Sequence, residues 1–514
     1  MHSPGAGAAD KTEAPYGSWE SPITAAAVSA AGRTVEGLAV AGDGRLVWVE
    51  KRPEEGGASV LVREATDPGG KAVDVTPREF AVRTLAQEYG GGSGAFAVQG
   101  DTVVFSNYDD QRLYRQTIGD RSPFPLTPEY SGPVVRYADG VFDPHFPRYV
   151  TVMEDHRNKS LNHVTTITAV TISDQDTNEP TVLVSGNDFY AFPRIDPSQK
   201  RMAWIEWSNP DMPWDKSQLW VGELQKRICI AGGDPTLVES PTEPKWSSKG
   251  ELFFITDRQS GFWNIYKWDE RSNVVIQLYA LDAEFSKPIQ NGRSYVGVLD
   301  HDLGTFSTLD IPFSSVTNIV TGDGCFYIEG ASATLPVSIA KVNLDEKGTV
   351  ATNFSIVWSS SEDVTKYKSY FSLPEFIEFP TAIPGQHACA IFYAPYNPSF
   401  QGSSDEKPPL LVRTHGGPTD EERGVLDLNV QYWTSRGFDD SQVVPSDQTK
   451  QIYKAMKDRG LPVALVEYEG EPHGFRKADN IKFTLEQQMV FFARTVGQFK
   501  VADEITPIKI ENFD

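Results

Sequence analysis

The chain has 514 residues, 70 acidic against 47 basic, for a formal net charge of −23, and 39% of it is hydrophobic. Such a length exceeds one ordinary domain and supplies enough apolar mass for large cores. The acid excess argues against nucleic acid or an anionic membrane as partner, because neutralising phosphates takes clustered Lys and Arg, and three widely spaced cysteines (Cys229, Cys325 and Cys389) exclude a disulfide framework and a paired-cysteine zinc site.

Residues 1–10 lack a basic region followed by an apolar one, and no apolar run approaches the ~20 residues of a membrane span. The eight histidines show no metal-ligand spacing. A cytoplasmic protein without a metal is expected.

From residue 19 to residue 375 the sequence is a series of short strand-like runs split by Gly, Pro, Asp and Asn. Leu46-Val47-Trp48-Val49-Glu50, Thr102-Val103-Val104-Phe105, Met202-Ala203-Trp204-Ile205-Glu206-Trp207 and Leu252-Phe253-Phe254-Ile255-Thr256 are examples. They are β-branched and aromatic and are bounded by turn residues, which predicts an all-β region. A degenerate repeat runs through it. Phe192-Pro193-Arg194-Ile195-Asp196-Pro197-Ser198 precedes a strand ending at Trp207, and Pro244-Lys245-Trp246-Ser247-Ser248-Lys249-Gly250 precedes a strand ending at Asp257-Arg258. Each unit reads as a turn, an apolar strand and then a second strand closing on Leu219-Trp220-Val221 or Asn264-Ile265-Tyr266. Units of about 50 residues with several strands each fit the blades of a β-propeller, and this stretch would hold about seven of them.

The character changes near residue 375. A strand pair opens at Phe379-Pro380-Thr381 and ends in Ala390-Ile391-Phe392-Tyr393. A polar linker at 401–407 leads through Pro408-Pro409-Leu410-Leu411-Val412 into a glycine loop, Arg413-Thr414-His415-Gly416-Gly417-Pro418-Thr419. A helix is expected over 448–459 and a strand over Val463-Ala464-Leu465-Val466-Glu467-Tyr468. The loop Glu469-Gly470-Glu471-Pro472-His473-Gly474-Phe475 comes next, and residues 483–499 have helical spacing. Alternating strand and helix signals read as α/β with a parallel sheet.

Seven stretches, in order, resemble the prolyl oligopeptidase family of serine peptidases, in its acylaminoacyl-peptidase and dipeptidyl-aminopeptidase-like branch. They are Tyr16 to Thr24, Glu88 to Gly92, Asn209 to Asp215, Asp257 to Tyr266, Ile377 to Thr381, His415 to Thr419 and Glu469 to Arg476. The resemblance implies a β-propeller over residues 19–375 capping an α/β-hydrolase domain over residues 376–514. It also implies hydrolysis of small or N-acylated peptides without a metal or cofactor. His473 matches the family's catalytic histidine, and a histidine in a Gly/Pro-rich loop after a strand can take the serine proton and return it to the leaving group. The triad acid should precede Val443-Val444-Pro445, where Asp440 and Asp439 both stand, Asp440 being preferred. His415, Gly416 and Gly417 match the oxyanion loop, whose backbone N–H groups would face the developing O⁻.

The nucleophile is missing. Family members carry it in a Gly-x-Ser-x-Gly elbow, and no serine of this chain has glycine at both positions. Ser93, Ser294 and Ser332 each have one of the two glycines, and Ser441 beside Asp440 has neither. After Gly437-Phe438 the chain passes directly to Asp439-Asp440, so an internal deletion is expected at 438–439. The tail from Pro408 to Asp514 has room for about three βα units, not for a full hydrolase sheet. The expectation is a serine peptidase by descent that is inactive in this form, with strand edges and apolar faces left uncovered in its C-terminal part. The alternative is a non-catalytic propeller that binds a partner or acts as a decoy subunit.

Overall fold

The computed structural model describes residues 11–67, 70–86, 94–120, 122–158, 163–173, 175–223, 226–285, 293–361, 363–381, 383–413, 422–440, 449–469, 471, 474–497 and 499–514, with backbone alone at 223, 439–440 and 449–452. Six four-stranded antiparallel sheets follow one another, each built from consecutive strands. Their first strands are Thr34–Val40, Phe96–Gln99, Val135–Phe142, Phe189–Ile195, Thr242–Trp246 and Ser315–Thr321. These are the blades of a β-propeller.

The expected count of about seven blades needs correction to six four-stranded ones. Between the fifth and the last stands a two-stranded hairpin, Gly297–Asp300 with Thr305–Thr308. The even period assumed from the sequence fails there, because residues 280–314 are too few for four strands and their turns at a ~50-residue spacing. The repeat itself holds. Its turns join the first strand of a blade to the second, and Leu219-Trp220-Val221 and Asn264-Ile265-Tyr266 lie in third strands.

Near-continuous apolar runs arise because each sheet is covered on both faces. Side chains alternate across a strand, so Val47, Val49 and Leu61 of the first blade join the core shared with the second blade. Leu46, Trp48, Val60 and Val62 face the other way, into a core shared with Tyr327 and Ile339 of the last blade. That second core is where the ring closes. No sheet among the described residues combines strands from the first and last blades; side chains hold the seam instead. Trp358 Nε1 donates to Glu50 Oε2 at 2.8 Å, and the Tyr327 hydroxyl lies 3.1 Å from Glu64 Oε2 and 3.2 Å from the Gly44 carbonyl.

The C-terminal part has the α-helices Leu428–Thr434, Thr449–Asp458 and Ala478–Phe492 among its described residues, the last running on into a π-helical turn at Ala493–Gly497. Among the described residues parallel pairing in this part is limited to two two-residue pairs, Leu410–Leu411 with Asp439–Asp440 and Phe400–Gln401 with Thr12–Glu13 of the N-terminal segment. Of the strand expected at 463–468, only Val463 pairs among the described residues, in an isolated bridge to Glu511. Strand propensity expresses itself only against a neighbour, and here the neighbours are few. The hairpin Glu375–Pro380 with His387–Phe392 pairs with no third strand among the described residues and leaves Phe376, Phe379 and Ile383 exposed.

Residues 23–28, which the expected boundary at 19 assigns to the propeller, pack in the C-terminal core instead. Ile23, Ala25 and Val28 join Leu428, Tyr432, Trp433, Phe438, Leu485 and Met489 there. Thr24 caps the short helix Ala25–Ala30 by accepting from Ala27 N at 3.1 Å. The chain turns out of helix Leu428–Thr434 at Gly437, whose φ is +97° and where an added Cβ would lie 3.2 Å from the Trp19 ring and 3.0 Å from Gly17 N. Only glycine meets both demands. Among the described residues no helix is long and apolar enough to cross a membrane.

Candidate functional site

Strand Leu410–Leu411, helix Leu428–Thr434 and strand Asp439–Asp440 form one strand–helix–strand unit with parallel strands. Asp427 caps the helix by accepting from Asn429 N at 2.8 Å, and Arg413 Nη2 reaches Asn429 Oδ1 at 3.0 Å. Because the strands are parallel, the chain leaves both at the same edge, where open α/β sheets place their ligand crevice. The expected oxyanion loop follows one strand and Asp440 ends the other. His415, Gly416 and Gly417 lie outside the described residues, as do Ser93, Ser441 and the side chains of Asp439 and Asp440.

His473 also lies outside the described residues, but both flanks of its loop are fixed. The Glu471 carboxylate accepts from Arg476 N at 2.8 Å, Lys477 N at 3.0 Å and Asn480 Nδ2 at 2.7 Å. Burial alone would push this carboxyl up; the three donors outweigh burial and hold it below the usual carboxylate range. Gly474 has a φ of +80°, a backbone conformation that favours glycine.

Arg476 then ties the loop to the first blade. Its guanidinium donates to the Gly57 carbonyl at 3.1 Å, Glu36 Oε1 at 3.0 Å and Ser59 Oγ at 2.7 Å. Sequence reasoning included Arg476 in a matching stretch but gave it no role. An arginine placed directly after His-Gly-Phe was the available signal.

The other loop is tied to the last blade. Arg423 Nη1 donates to Ser315 Oγ at 3.2 Å, and Leu426 N donates to the Ser332 carbonyl at 2.8 Å. First and last blades adjoin, so the segments flanking both expected site loops dock on the two sides of the ring seam. Two of the near-miss serines accept backbone hydrogen bonds in the propeller, one across 22 residues and one within a turn. Ser294 Oγ accepts from Val316 N at 3.0 Å, and Ser332 Oγ accepts from Leu335 N at 3.2 Å.

Glu329, on the last blade near Arg423, is buried, and burial pushes its carboxyl up against the opposing pull of Asn318, Thr317 and Arg423. A carboxyl whose folded pKa is raised contributes stability below its unfolded pKa of about 4 and loses it as pH rises through the folded value. Glu329→Gln should therefore melt at or above the parent temperature at neutral pH, with the difference moving in the parent's favour as pH falls toward about 4. Thermal unfolding of both proteins across that range checks this, and a difference that does not vary with pH contradicts it.

No protein-family model matches the sequence, and no curated protein matches it at a significant level. Solved structures do match. A puromycin-hydrolysing peptidase of Mycobacterium tuberculosis superposes with a TM-score of 0.86 at 24% identity, over 98% of this chain and 100% of that one. A puromycin hydrolase gives 0.84 at 21%, over 97% of this chain and 100% of that one. Prolyl oligopeptidase B of Galerina marginata gives 0.60 at 11%, over 81% of this chain and 62% of that one. These neighbours are peptidases. The chain has the fold of the prolyl oligopeptidase family, the family its seven sequence stretches resemble.

Proposed function

We propose that the chain is a prolyl oligopeptidase-family protein by descent that binds small or N-acylated peptides and does not hydrolyse them. In this reading residues 376–514, together with the N-terminal segment packed against them, are a peptidase domain that has lost its middle at 438–439. The observation that carries it is the strand–helix–strand unit ending at Asp439–Asp440. After its second strand the sequence continues directly as Ser441-Gln442-Val443-Val444-Pro445, with no glycine-flanked serine between the helix and that stretch. Asp440, His473 and the loop His415–Gly416–Gly417 are then relics of the triad and oxyanion hole. Loss of the nucleophile alone lowers turnover of a comparable triad by about 10⁶-fold. The cysteines, all free of disulfides, favour the cytoplasm.

A fluorophosphonate probe labels only an activated serine, and no labelling of the purified chain is expected. Clean labelling that disappears in His473→Ala would overturn the inactive reading. A second reading, favoured by the contrast between six complete blades and the scant C-terminal sheet, is a propeller that binds a protein partner without taking up peptides.

A further inference from the structure

We propose that Lys51, Arg83 and Arg476 form a subsite for the C-terminal carboxylate of a short peptide; this rests on the peptide-binding reading above. Lys51 and Ser59 stand directly opposite on neighbouring strands of the first blade, so their side chains leave the same face. The Arg476 guanidinium reaches that face, 2.7 Å from Ser59 Oγ. Val82 N donates to the Ser59 carbonyl at 2.8 Å, which brings the next residue, Arg83, alongside. The Arg83 guanidinium lies 4.8 Å from the Tyr108 ring centroid.

Anions are scarce here. Glu36 is the carboxylate bound at this spot, by Arg476 and by Ser59 Oγ at 2.7 Å. The Glu471 oxygens are occupied by backbone N–H groups and Asn480. Among the described residues neither Lys51 nor Arg83 has a carboxylate in hydrogen-bond or ion-pair contact, and Arg83 Nε is buried without a partner. Burial, and then the nearby Arg476, push both groups below their ordinary values. A half-buried cluster with an excess of cations is thus built into a chain of net charge −23. It lies beside Arg476, which anchors the segment after position 474 on the first blade. Charge-assisted hydrogen bonds would hold the main-chain carboxylate and select short peptides with a free C-terminus.

Trialanine and its C-terminal amide, titrated calorimetrically into the full-length chain, separate the outcomes. The acid should bind about tenfold more tightly than the amide. In the Lys51→Gln/Arg83→Gln chain that ratio should fall to about one through loss of affinity for the acid, with an unchanged circular-dichroism spectrum reporting an intact fold. In the parent the ratio should also shrink between about 0.05 and 0.5 M salt. Equal binding of acid and amide overturns the subsite and leaves the peptide reading standing, whereas binding of neither overturns both. A ratio that survives the double substitution or high salt also overturns the subsite.

Discussion

Replacing Trp433 by alanine is expected to destabilise the C-terminal core by about 3–5 kcal/mol, near the upper limit for a single truncation. The indole is buried and meets Tyr432, Phe438 and Phe492 at ring-centroid distances of 5.3, 5.2 and 5.9 Å. It joins helix Leu428–Thr434 to helix Ala478–Phe492 in a region whose strands contribute few ladder hydrogen bonds. Packing must therefore supply most of the stability there, and a cavity at its centre has little to fall back on. The blades pack in cores shared between neighbouring blades and separate from the C-terminal core, so calorimetry should show the C-terminal transition moving down while the propeller transition stays in place. A single transition moving as a whole would show that the two parts melt as one unit.

Glu50→Ala is the second large effect expected, at about 3 kcal/mol. The Glu50 carboxylate is buried and accepts from Arg52 Nε at 3.0 Å, Arg33 Nη1 at 3.1 Å, Trp48 Nε1 at 3.4 Å and Trp358 Nε1 at 2.8 Å. The substitution leaves two indole N–H groups without their acceptor and takes a carboxylate from Arg52, which keeps Asp74. Asp74 together with Glu55, which Arg52 also keeps, places the cost at the lower end for a broken buried pair. Glu50→Gln keeps an acceptor for Trp358 and should recover part of the loss. Urea unfolding measures the sizes, and faster proteolysis between residues 359 and 375 in Glu50→Ala would locate the damage at the seam.

The propeller was legible in the sequence because its chemistry is local and repeated. A run such as Leu46-Val47-Trp48-Val49 is apolar on both faces since neighbouring blades cover both. Helix Thr449–Asp458 was equally plain, lying within the stretch 448–459. What failed were readings that depend on distant partners. Residues 464–468 have a strand's composition but among the described residues only Val463 finds a pairing partner, in Glu511. Ile23 and Val28 look like any apolar residues of the N-terminal half, and their place against Leu485 and Met489 is a matter of tertiary packing alone. For the site, loop sequences named its residues, while the anchoring by Arg476 and Arg423 emerges only once both ends of the ring are in view.

A circle joined end to end by side chains can part without unzipping any shared strand. The segments beside residues 415 and 473 are moored on opposite banks of that join, one at Ser315 and Ser332, the other at Gly57 and Ser59. Widening it would part the two anchored segments, so the contacts of Arg423 and of Arg476 depend on the same join.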